Sequence, residues 1–101
     1  MNKETVNEIV LTNNNELLLK IIGDGKPMYQ YIYREASGVY WDDDNKGFKS
    51  TPIKDMSVSE WFFHIKATVK SGLNLDLDID ENLLWKNIPE NERSKIAGSN
   101  V

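Results

Sequence analysis

No cysteine occurs among the 101 residues, and His64 is the single histidine. The first absence excludes disulfides, thiolate nucleophiles, iron–sulfur ligation and thiolate zinc sites. The second excludes, within one chain, any site built from two or three imidazoles, such as H-E-x-x-H or a facial triad. Positive charge is also in deficit: 12 Lys and Arg against 16 Asp and Glu leave a net charge of −4. With no surplus of base to draw phosphates, nucleic acid is not an expected partner. The apolar runs are short, Leu17-Leu18-Leu19 being typical, against the roughly 20 residues a membrane span needs. The stretch Met1-Asn2-Lys3-Glu4 is polar and opens no hydrophobic signal segment, so a cytoplasmic address is expected and membrane association is not.

What is present is the material for one core. Hydrophobic residues make up 40% of the chain and aromatics 10%, in a length that suits one domain over residues 1–101, with 98–101 expected to fray. Ile9 and Leu11 alternate with Glu8, Val10 and Thr12, Asn13-Asn14-Asn15 tolerates a left-handed backbone, and Leu17, Leu19 and Ile21 alternate with Leu18, Lys20 and Ile22. That is a β-hairpin pattern. After the Gly23-Asp24-Gly25-Lys26-Pro27 turn, residues 28–34 read as a third strand, with Tyr29, Tyr31 and Tyr33 on one face and Gln30, Ile32 and Arg34 on the other. Ala36-Ser37-Gly38 ends it. Val39-Tyr40-Trp41 and Phe48-Lys49-Ser50 read as two more strands around a polar loop.

The period changes after Pro52. Ser57-Val58-Ser59-Glu60 is a capping box, and Val58, Trp61, Phe62, Ile65 and Val69 fall on one stripe of a helix over 58–71, with Gly72 at the expected left-handed cap. Leu73, Leu75, Leu77 and Ile79 alternate with polar residues as a strand over 73–80. Pro89, acidic Glu90 and Glu92, then basic Arg93 and Lys95 suit a short terminal helix. The expectation is an α+β fold: an antiparallel meander of four to five strands, one main helix packed on it and a short C-terminal helix.

Candidate chemistry is sparse. Asp42-Asp43-Asp44-Asn45-Lys46-Gly47 resembles a calcium loop until the register is counted: Lys46 falls at a ligand position and Ile53 where a bidentate Glu should close the site. Asp76, Asp78 and Asp80 lack the loop glycine and the closing Glu. Gly23-Asp24-Gly25-Lys26 lacks the spacing of a phosphate loop. His64 lies at the border of the helix stripe with no nucleophile elbow in the chain, and a single surface or backbone hydrogen bond accounts for it. No catalytic, metal or cofactor residues are assigned, and the chain is read as non-enzymatic.

Two features carry more weight. Tyr29, Tyr31, Tyr33, Tyr40 and Trp41 crowd together beside Asp42-Asp43-Asp44. Rings next to carboxylates can receive an organic cation, and a pocket between sheet and helix lined by Tyr31, Tyr33, Trp41 and Trp61 is one reading; cross-strand packing of the same rings is the other. Phe63 projects away from the helix stripe on the side of Lys66 and Lys70, which suits an interface, unless the segment around Leu83, Leu84, Trp85 and Ile88 covers it.

The segments Tyr31-Ile32-Tyr33-Arg34-Glu35-Ala36, Gly38-Val39-Tyr40-Trp41, Gly47-Phe48-Lys49-Ser50, Glu60-Trp61-Phe62-Phe63-His64-Ile65 and Trp85-Lys86-Asn87-Ile88-Pro89 resemble small uncharacterised bacterial proteins carried on integron gene cassettes. The resemblance implies a small cytosolic α+β protein of a mobile element and assigns no functional residue. The expected role is therefore protein–protein interaction, with a homo-oligomer, a dimer first, or another protein as partner. The alternative is a binder of small organic cations.

Overall fold

The computed structural model describes residues 2–35 and 38–98. Strands β1 (Asn2–Leu11), β2 (Leu17–Ile21), β3 (Val39–Asp42), β4 (Gly47–Ser50) and β5 (Leu75–Lys86) form one five-stranded sheet in the order β3-β4-β2-β1-β5. Helices α1 (Val58–Leu73) and α2 (Glu90–Gly98) and a 3₁₀ segment (Pro27–Glu35) supply the second layer. The fold is α+β, with a main helix and a short C-terminal one.

The sheet is mixed. Three of its pairs are antiparallel, but β5 lies parallel to β1, from Asn2 opposite Leu75 to Val10 opposite Lys86. Parallel neighbours need a crossover, and α1 is that crossover: it returns the chain along the sheet so that β5 enters beside β1 in the same direction. β5 also runs to Lys86, past the expected end at 80, through an irregularity between Ile79 and Leu84 that faces Asn7 on β1. The buried Oδ1 of Asn7 has no hydrogen-bond partner among the described residues.

The expected strand over 28–34 is a 3₁₀ helix. In that geometry side chains three apart eclipse, and Tyr29 and Ile32 are the pair that enters the core, 2% and 1% exposed. Alternation of the tyrosines suggested period 2; the buried pair has period 3, and Pro27 supplies the fixed φ of a helical first position. The Tyr29 hydroxyl donates to Glu4 Oε2 at 2.5 Å, tying the segment to β1. Burial first, then this bond, raises the hydroxyl above the ordinary tyrosine range. Of the break expected at Ala36-Ser37-Gly38, Gly38 takes a left-handed φ of +80° and the other two lie outside the described residues; of the fraying expected over 98–101, Gly98 is still in α2 and the rest lies outside the described residues.

Ser57 does cap α1: its Oγ accepts from the Glu60 amide at 3.2 Å, and Glu60 Oε1 accepts from the Ser57 amide at 3.0 Å. The far end differs from expectation. Gly72 and Leu73 are still helical, and Asn74 takes the left-handed position, φ 53°, donating its amide to the Lys70 carbonyl. Leu73 thus closes the helix instead of opening a strand. A second carboxylate holds the start of α1: buried Glu92 of α2 accepts from the Ser59 amide at 2.9 Å and the Ser59 hydroxyl at 3.2 Å, and pairs with Lys95 at 3.2 Å. A carboxylate at a helix N-terminus is favoured by the orphan amides and the dipole. The amide bond to Ser59 in particular holds the Glu92 carboxyl below the usual range.

Glu92→Gln should therefore cost about 1–3 kcal/mol at pH 7, read by urea unfolding. Because the folded carboxyl sits low, its contribution is present above the ordinary value near 4.3 and disappears as pH falls through the folded value. The gap between wild type and variant should close in acid; a gap that is absent at pH 7, or unchanged with pH, would contradict the assignment.

Candidate functional site

The two faces of the sheet differ in chemistry. One face sends Val6, Ile9, Leu17, Leu19, Ile21 and Phe48 into the core under α1 and the 3₁₀ segment. The other is tiled with charge: Lys20 pairs with Glu8 at 3.4 Å, and Lys49 with Asp42 at 3.1 Å and Glu16 at 3.6 Å. Tyr40 belongs to this network, donating to Glu16 at 2.9 Å while the Lys49 ammonium stands 5.2 Å from its ring centroid. Burial opposes the charge on Asp42, but bonds from Asn45 and Lys49 outweigh it and hold its carboxyl low. Lys49 is likewise raised, its bonds to Asp42 and Tyr40 overcoming burial.

Trp41 points the other way. Its ring meets Tyr29 at 5.3 Å and Phe48 at 5.0 Å, both edge-on, the geometry aromatic quadrupoles prefer. Its indole N–H donates to Asp43 Oδ1 at 3.2 Å, and the same oxygen takes the Lys46 ammonium at 2.9 Å. First the Lys46 bond and then the Trp41 bond hold the Asp43 carboxyl below its ordinary value. Outside this cluster is a cleft of about 490 Å³ lined by Trp41, Asp43, Asp24, Gly25, Lys26, Pro27 and Gln30. Gly25 approaches the indole closely: its φ is +77°, and a Cβ there would stand 2.5 Å from Trp41 Cζ2.

Of the four rings expected to share a pocket, Trp41 lines this cleft, and Tyr31, Tyr33 and Trp61 are not among its lining residues. Tyr31 and Tyr33 stand on the 3₁₀ segment, 45% and 59% exposed. Trp61 sits on α1, edge-on to His64 at 5.1 Å and close beneath Gly38. Gln30 was missed because the chain from 28 onward reads as a strand, and Asp24 and Lys26 because Gly23-Asp24-Gly25-Lys26-Pro27 reads as a turn alone. Asp42, the nearest acid in sequence, is spent in its own turn, where Oδ1 accepts from the amides of Asp44 and Asn45.

At the interface expected on α1, Phe63 is 39% exposed, its edge against buried Phe62 at 5.2 Å. Lys70 nearby pairs with Asp76 at 3.2 Å. No helix among the described residues is long and apolar enough to cross a membrane.

No protein-family model and no curated protein matches the chain. Among solved structures, one described as "Structure from the mobile metagenome of North West Arm Sewage Outfall: Integron Cassette Protein Hfx_Cass5" is 25% identical over 99% of this chain and 97% of that one, with a TM-score of 0.44. The chain resembles an integron cassette protein.

Gly25 offers a direct check on the cleft wall. Gly25→Ala should lower stability by about 2–3 kcal/mol through both its φ and the collision with Trp41. Gly23→Ala, at φ +100° with nothing within 4 Å, should cost only the backbone part, about 1 kcal/mol. Equal melting points for the two variants would mean that the indole does not press on residue 25.

Proposed function

We propose that the chain is a non-enzymatic cytoplasmic protein that works by association, first of all with a second copy of itself. The observation that carries this is the set of exposed rings on the helical layer. The uncovered sheet face carries ion pairs, with Leu84 exposed opposite Glu8 at its β5 edge, whereas the helical layer leaves Met28, Tyr31 and Tyr33 on the 3₁₀ segment and Phe63 on α1 exposed.

Phe63 is the anchor of choice. It lies about 100° around α1 from Phe62, the centre of the buried stripe, so the core gains little from it. An aromatic ring flanked by long aliphatic stems, here those of Lys66 and Lys70, is the composition that favours an interface centre over a solvated helix face. A two-fold arrangement lets two such rings meet across one axis, the commonest closure for identical chains.

Multi-angle light scattering at micromolar concentration should give a mass above 11.6 kDa, and Phe63→Asp should lower it toward the monomer, with amide spectra checking that the variant is folded. A monomer mass for both proteins across the accessible concentration range would refute self-association.

A further inference from the structure

We propose that the cleft between the 23–27 turn and the β3–β4 turn binds a small organic monocation, with the Trp41 indole as its wall and Asp24 and Asp43 as its counter-charges. The site is independent of the Phe63 surface, and neither reading requires the other.

Three features converge there. The cleft, about 490 Å³, falls within the range of small-molecule sites, roughly 300–1,000 Å³. Its wall is held before any ligand arrives: Tyr29 and Phe48 brace the indole edge-on, Asp43 holds its N–H, and Gly25 lies against its six-membered ring. An indole is the best aromatic surface for a cation, and its cost of ordering is already met by the fold.

The third feature is a resident cation. The Lys46 ammonium rests on Asp43 Oδ1 at 2.9 Å, and its positive form is favoured first by that bond and further by the charges of Asp43, Asp24 and Asp44. The loop thus already stabilises an ammonium supplied by its own chain, beside the indole that an external one would use. Lys26 contributes one positive charge to the lining and selects against a second charge on the ligand, while the Gln30 amide offers a hydrogen bond to a polar group at its other end. The class these features select is a single ammonium or guanidinium head on a short body.

Choline is the probe, with 3,3-dimethyl-1-butanol as its uncharged counterpart of the same shape, both titrated into the full chain at constant ionic strength. The readout is the indole N–H resonance of Trp41, assigned with Trp41→Phe. The expected result is a saturable shift with choline and none with the alcohol. Asp24→Asn should weaken binding about fivefold, and Lys46→Gln, which frees Asp43, should tighten it about two- to fivefold, the scale of one partly screened charge. Asp24 is exposed and Lys46 half-buried, and amide spectra check that both variants are folded. A shift that never saturates, an equal response to the alcohol, or a dissociation constant that moves in neither stated direction would overturn the proposal.

Discussion

A sheet with one apolar face needs a cover, and in a chain without cysteine no covalent staple can substitute for it. α1 is long enough to cross the sheet but too narrow to cover five strands. The β3 end would stand open to water if residues 27–35 were another strand. Winding them into a 3₁₀ segment drops Tyr29 onto Trp41 and Phe48, buries Ile32 in the same core and completes the roof. The cost is that Tyr31 and Tyr33 are turned outward, so the exposed aromatics follow from how the core closes.

This is why the local pattern was a good guide in some places and a poor one in others. The hairpin, the Ser57 cap and the terminal helix depend on interactions between residues a few positions apart, and these were legible. The 3₁₀ segment was not, because alternating tyrosines and apolar residues on both sides fit a strand and a tight helix equally, and only the neighbouring gap decides between them. The parallel position of β5 was hidden for a similar reason: its alternation was clear, but partner choice depends on which edge the crossover reaches. Trp41 was legible as a ring beside acids. The acid that shares its cleft came from an unexpected place, since Asp42 is committed to its own turn and to Lys49 while Asp24 arrives from the preceding loop.

The charged face shows how an acidic chain manages a solvent-facing sheet. Lys49 sits between Asp42, Glu16 and the Tyr40 ring, so one cation serves acids from two neighbouring segments, and the charges on the edge strand β5 discourage sheet-to-sheet aggregation. The more exposed Lys20–Glu8 pair adds little stability singly, whereas the Lys49 pairs, with side chains 11–17% exposed, are screened less by solvent. Their effect is to satisfy the charges of that face among themselves.

The parallel pairing of β1 with β5 also has a bearing on synthesis. β1 lies inside the sheet, yet one of its two neighbours is encoded far downstream, beyond the whole crossover: Asn2 has to wait for Leu75 and Val10 for Lys86. While the chain emerges from the ribosome, the β1–β2 hairpin can form early, but it carries an unfilled flank until β5 appears. Contacts between such distant segments slow folding and expose strand edges in the meantime. A nascent chain stalled before β5 would offer that flank to any extended polypeptide nearby.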